Sequence, residues 1–176
     1  MIGRGEFAAR WIVLGVVLSV TLSSAAPVSS AATLEAQVRQ LEDQDAIRKI
    51  LVDYGIHLDA QDYAAYAALF AKDGVWTGGY GTAKGPAAIQ AMLEKAMGKP
   101  APGFINKSKS HLMTTMVVTV TGDTATARSR FLVLTADEAN KPVPSRAGRY
   151  LDQFVREVSG WKIKSRKTEG VIPYAE

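Results

Sequence analysis

Cysteine is absent from the 176-residue chain, so it has neither a thiol for a lipid anchor nor a disulfide staple. An oxidising compartment is allowed by this and not required. Histidine is scarce. His57 and His111 stand far apart with no third ligand clustered beside either, which makes a poor metal site, and no cofactor is implied. Charge of one sign is nearly balanced at a formal +4. The basic residues between 156 and 167 alternate with apolar ones in WKIKSRK, as on the wet face of an edge strand. Without aromatic interleaving or a known motif, they do not make a nucleic-acid surface. The Gly-rich segment GGYGTAKGP lacks the Lys-Ser/Thr pair of a phosphate loop and reads as a hairpin-like turn. No internal repeat or second domain is visible.

The N-terminal apolar run, residues 11–22 (WIVLGVVLSVTL), is too short for a comfortable membrane span of about 20 residues. Arg4 and Arg10 lie around its start, and the small residues of SSAAPVSSAA follow it. This is the pattern of a secretory signal, residues 1–32, with Ser30 and Ala32 at the small-residue positions and cleavage after Ala32. The rest, residues 33–176, suits one domain with a real core and a periplasmic or secreted location.

In that domain, Ile47, Ile50, Leu51, Tyr54 and Leu58 recur at spacings of three and four. They predict the buried stripe of a helix over 34–58, whose early part is polar enough to project or to pack on a partner. Asp62 is a cap for a second helix over 63–71. A short strand over 75–80 comes next, and Pro86 opens a third helix to Met97. The loop GKPAPGFIN, with Phe104 and Ile105 at its tip, suits a pocket border. From Lys107 the period becomes that of strands, at 110–120, 124–135, 146–158 and 161–168. A polar two-proline loop spans 137–145. Helices first and antiparallel strands after them predict an α+β fold, its sheet curling round helices to enclose an apolar cavity.

Tyr54 and Asp59 lie little more than a turn apart near the inner end of the stripe. A carboxylate there needs a partner, and the best candidate is His111 at the head of a strand. Strict alternation puts His111, Met113, Thr115 and Val117 on one face. On the next strand Ala127, Ser129, Phe131 and Val133 oppose Arg128, Arg130, Leu132 and Leu134; sequence does not say which set lines the cavity. An imidazole held by a carboxylate through one nitrogen is a better base at the other. Tyr54 could then donate to a developing oxyanion. Against this stands the plainer reading of a helix cap and a satisfied histidine.

The stretches AIRKILVDYGIHLDAQDYAAYAALFAKDGVWTGGYGTAKGPAAI and SKSHLMTTMVVTV resemble the SnoaL-like branch of the nuclear transport factor two-like superfamily, over about residues 41–168. The resemblance implies a cone of three N-terminal helices packed on a curved, mostly antiparallel sheet, commonly dimeric through the open sheet face. Its members include scytalone dehydratase and hexachlorocyclohexane dehydrochlorinase, in which a helix-end aspartate and a strand histidine form a proton-abstracting dyad. Asp59, in an L-D-x-x-D turn, and His111 hold those places here. The Tyr54-to-Asp59 spacing also resembles that of bile-acid dehydratases. The resemblance thus implies an exported, cofactor-free lyase or isomerase that removes a proton from a lipophilic small molecule. Its catalytic residues would be Asp59, His111 and Tyr54, with Trp76, Met113, Phe131 and Phe154 as substrate-contacting or core residues and His57 structural or exposed. A non-catalytic carrier using the same cavity, and a dimerisation module, are the competing readings.

Overall fold

The computed structural model describes residues 30–172, with side chains described from 33 onward. The signal segment expected at residues 1–32 lies outside the described side chains. Helix α1, Ser30–Asp59, contains no proline and a single glycine, Gly55. Ile47, Leu51 and Tyr54 of its stripe are buried, whereas Leu34, Val38 and Leu41 in its first half are exposed. Asp62 caps α2, Tyr63–Ala68, by accepting from the Ala65 N–H at 2.9 Å.

α2 is shorter than the sequence predicts because strand β1, Phe70–Gly78, begins at Phe70 rather than at Val75. The Leu69 carbonyl accepts from the Ile163 N–H at 2.9 Å, which draws the chain out of the helix. Gly74 allows the kink that follows: a Cβ there would stand 2.7 Å from the Ile163 carbonyl oxygen. The Gly-rich segment makes a hairpin into β2, Gly81–Lys84. Pro86 then opens α3, Pro86–Met97, which buries Ile89 and Leu93.

Four long strands follow: β3 Lys109–Thr121, β4 Thr124–Ala136, β5 Pro142–Glu157 and β6 Gly160–Ile172. Among the described residues they form with the hairpin one six-stranded sheet in the order β2-β1-β6-β5-β4-β3. All neighbours are antiparallel except β1 and β6. The architecture is therefore α+β, with helices packed on one face of a mostly antiparallel sheet. The hairpin intervenes before α3, so the helices do not all precede the strands.

Three readings are corrected by register. β6 lies between β1 and β5 rather than at an edge, and its Arg166 is buried. Thr115 takes a φ of 50° where β3 bulges against β4. Alternation fails there, and Val117 turns out while Val118 turns in. The expected 137–145 loop is shorter, because β5 already pairs from Pro142. On β4 it is Ala127, Ser129, Phe131 and Val133 that face the helices.

Candidate functional site

The C-terminal end of α1 meets the start of β3. Gly55 allows the approach, since a Cβ there would stand 3.1 Å from Met113 Cγ and 3.7 Å from the His111 carbonyl oxygen. One turn on, the Asp59 carboxylate holds His111 twice. Its Oδ2 accepts from the His111 backbone N–H at 2.7 Å, and its Oδ1 lies 2.5 Å from Nδ1. An ionised carboxylate can only accept, so Nδ1 carries a proton, and in the neutral imidazole the lone pair is on Nε2. Both side chains are largely covered, at 14% and 20% exposure for His111 and Asp59. Asn106 ties the preceding loop to the same point. Its amide donates to the Asp59 carbonyl at 3.2 Å, while its Oδ1 accepts from the N–H groups of Ser108 and Lys109.

Tyr54 lies deeper. Its hydroxyl accepts from Trp76 Nε1 at 3.0 Å, and its ring packs against Tyr66 and Tyr150 at centroid distances of 4.4 and 5.3 Å. Arg166 backs this cluster, with Cζ 3.8 Å from the Tyr54 ring centroid and 4.4 Å from that of Tyr150. Arg166 donates through Nε and Nη2 to both oxygens of Asp152, at 2.6 and 2.8 Å, and neither side chain reaches solvent. Burial opposes the guanidinium charge, but Asp152 overrides it and holds the Arg166 pKa above its ordinary value. Burial also pushes the Tyr66 and Tyr150 hydroxyls well above the usual tyrosine value, so both stay neutral donors.

A pocket of about 640 Å³ opens between these elements, lined by Asp59, His111, Tyr54, Trp76 and Phe131 among others. Its size is that of a small-molecule site. Phe131 lies over Gly148, where a Cβ would come within 2.3 Å of the ring, so only glycine leaves room for this wall. Phe104 borders the pocket, as its loop position predicts. Two proposed contact residues are elsewhere. Met113 packs beneath α1 at Gly55, and Phe154 lies farther along β5 in the core, so neither lines the pocket. His57 is half-buried and stands outside it. Among the described residues, no three histidine, aspartate or glutamate side chains gather to hold a metal.

Sequence reasoning missed Arg166, Asp152 and Asn106. Asp152 alternates with Tyr150 and Phe154 on one face, a usable signal of a buried carboxylate needing a cation. Arg166 gave none, because Ile163 pairs with Phe154 but Ser165 pairs with Gln153. That shift leaves Lys164 as an extra residue and turns Arg166 inward.

Residues 39–167 match the family model of the SnoaL-like domain. Among solved structures, an NTF2-like protein with a cystatin-like fold from Novosphingobium aromaticivorans is 29% identical, with a TM-score of 0.71 over 84% of this chain and 94% of that one. ActVI-ORFA from Streptomyces coelicolor is 25% identical, with a TM-score of 0.59 over 72% of this chain and 95% of that one. The hexachlorocyclohexane dehydrochlorinase LinA-type3 from Novosphingobium barchaimii is 22% identical, with a TM-score of 0.62 over 76% and 90% respectively. No curated protein matches the chain.

Proposed function

The chain belongs to the SnoaL-like domain family, and from that premise we propose that it is a cofactor-independent lyase or isomerase. His111, oriented by Asp59, removes a proton from carbon in a lipophilic small molecule. The observation that carries this reading is the double hold of Asp59 on His111 at the wall of a pocket. The carboxylate fixes the tautomer, so Nε2 is the basic nitrogen. It takes the proton, and the C–H electron pair either expels a leaving group from the neighbouring carbon or passes into a carbonyl as an enolate. Trp76 already donates to the Tyr54 oxygen, so the Tyr54 proton is available to the oxygen or leaving group that gains charge. A dehydrochlorinase among the structural neighbours is consistent with elimination chemistry on this fold. On the same reading the pocket is the substrate cavity of the cone, the chain is exported with cleavage after Ala32, and two copies pair through the uncovered sheet face.

Incorporation of deuterium from solvent into carbon of a substrate panel of chlorinated cyclohexanes, β-hydroxy ketones and enones tests the proton transfer by mass spectrometry. Elimination products are read from the same spectra. Either signal should fall about 10²–10⁴-fold in both Asp59→Asn and His111→Gln. Full activity in folded His111→Gln sinks the mechanism, and tight retention of unaltered compounds favours a carrier.

A further inference from the structure

The rim of the pocket carries charge that the proton transfer does not use. Lys109 stands two residues before His111 on the same face of β3, about 7 Å along the strand. Arg146 stands in the row His111–Val133–Arg146 across three neighbouring strands, about 10 Å from His111 at ordinary strand spacing. Val133 pairs with Arg146 and Leu134 with Pro144, so Ser145 is an extra residue in β5. Such a bulge re-aims side chains, and Ser145 and Arg146, though consecutive, both line the pocket, as does Lys109.

Five other cations of the sheet are ion-paired. Arg149 and Lys167 share Glu169, Arg156 is taken by Asp43 and Asp123, Lys164 by Asp73 and Arg166 by Asp152. Among the described residues, the side chains of Lys109 and Arg146 have no hydrogen-bond or ion-pair partner. Among the described residues, the only carboxylate lining the pocket is Asp59, which is occupied by His111. With His111 neutral, the described lining residues therefore carry one net positive charge, at the pocket mouth. Its deep end is aromatic, formed by Tyr54, Trp76, Phe131 and Tyr150.

We propose that the pocket takes a lipophilic carboxylic acid, its carboxylate gripped by Lys109 and Arg146 and its hydrophobic body on the aromatic end. The planar guanidinium of Arg146 can pair both oxygens, and Lys109 adds a point charge on the side nearer His111. The dyad then lies along the wall between the anchored end and the buried end. Proton removal occurs at a carbon one or a few bonds from the carboxylate. This substrate class rests on the reading of the pocket as a substrate site, but the grip itself needs no chemistry.

Isothermal titration with 2-naphthylacetate, 4-biphenylacetate and 9-anthraceneacetate, each beside its neutral primary amide, tests the grip. The acids should bind about tenfold or more tightly than the amides at low salt, and less so as salt is raised. The double variant Lys109→Gln/Arg146→Gln should erase the preference while leaving amide affinity in place. The proposal is overturned if no acid binds, if acid and amide bind alike, or if the preference survives in the double variant. Acid preference without deuterium incorporation would sink the enzyme reading and keep this one. Turnover of neutral compounds without acid preference would do the reverse.

Discussion

Asp152 and Arg166 are charged side chains placed where neither meets water. Their two hydrogen bonds and the tyrosine faces on Arg166 offset the desolvation, although Nη1 of Arg166 finds no partner. Such a pair need not stabilise the fold more than apolar residues would, but its breaking leaves a lone buried charge. Asp152→Asn or Arg166→Met should each cost about 3–5 kcal/mol in urea unfolding. The double variant should recover part of that loss. A double variant destabilised by the sum of the two single losses would show that the pair is not coupled. At the same scale, the meeting of Asp59 with His111 was legible from a carboxylate at the end of an apolar stripe. The partnership of Trp76 with Tyr54 was not, because no periodicity relates a helix residue to a hairpin residue.

At the scale of the element, α1 is fastened at two points. Gly55 seats its C-terminal part on β3, and Asp43 clips its middle to β5 and β6. The Asp43 carboxylate accepts from Arg156 at 2.7 and 2.5 Å and from Trp161 Nε1 at 3.0 Å. The Arg156 hydrogen bonds hold its pKa below the ordinary aspartate value, against the opposing effect of burial. The stabilisation is therefore complete above the pKa of the unfolded aspartate and is lost as pH falls through the lowered folded value. Asp43→Asn should cost about 1–2 kcal/mol at pH 7, after allowance for the partly exposed Arg156. Below about pH 4 the gap to wild type should narrow. Chemical denaturation at both pH values would check this, and a gap independent of pH would remove the ion pair from the account. The element's C-terminal end and its stripe were visible in sequence, whereas its helix already runs from Ser30 rather than from residue 34. The clip was not, since Asp43 and Arg156 are joined only by tertiary folding.

At the scale of the whole molecule, helices cover one sheet face, and among the described residues none covers the other. The bare face exposes Leu112 at 46% and Val117 at 61%, beside Arg128 and Arg130. Pairing of two copies there buries the apolar residues but brings like charges together, so salt should favour it. Analytical ultracentrifugation should find twice the chain mass, with dissociation tightened by added salt. Leu112→Arg/Val117→Arg should give monomers. A monomer at every salt concentration would refute the pairing.

The amino-acid order by itself determined what depends on near neighbours and on period. The bounds of α3 follow from Pro86 and Gly98, the α2 cap from Asp62, and the long hairpins from alternation and Gly-containing turns. Tertiary structure decided whatever depends on register across strands. One extra residue at Lys164 turned Arg166 from the wet face to the core, and one at Ser145 brought Arg146 to the pocket rim. The positive φ of Thr115 reversed the faces of β3 beyond it. The physical reason is that a strand's side chains alternate with a period of two, so a single unpaired residue exchanges inside for outside. Whether a strand bulges is settled by its partners and not by its own sequence.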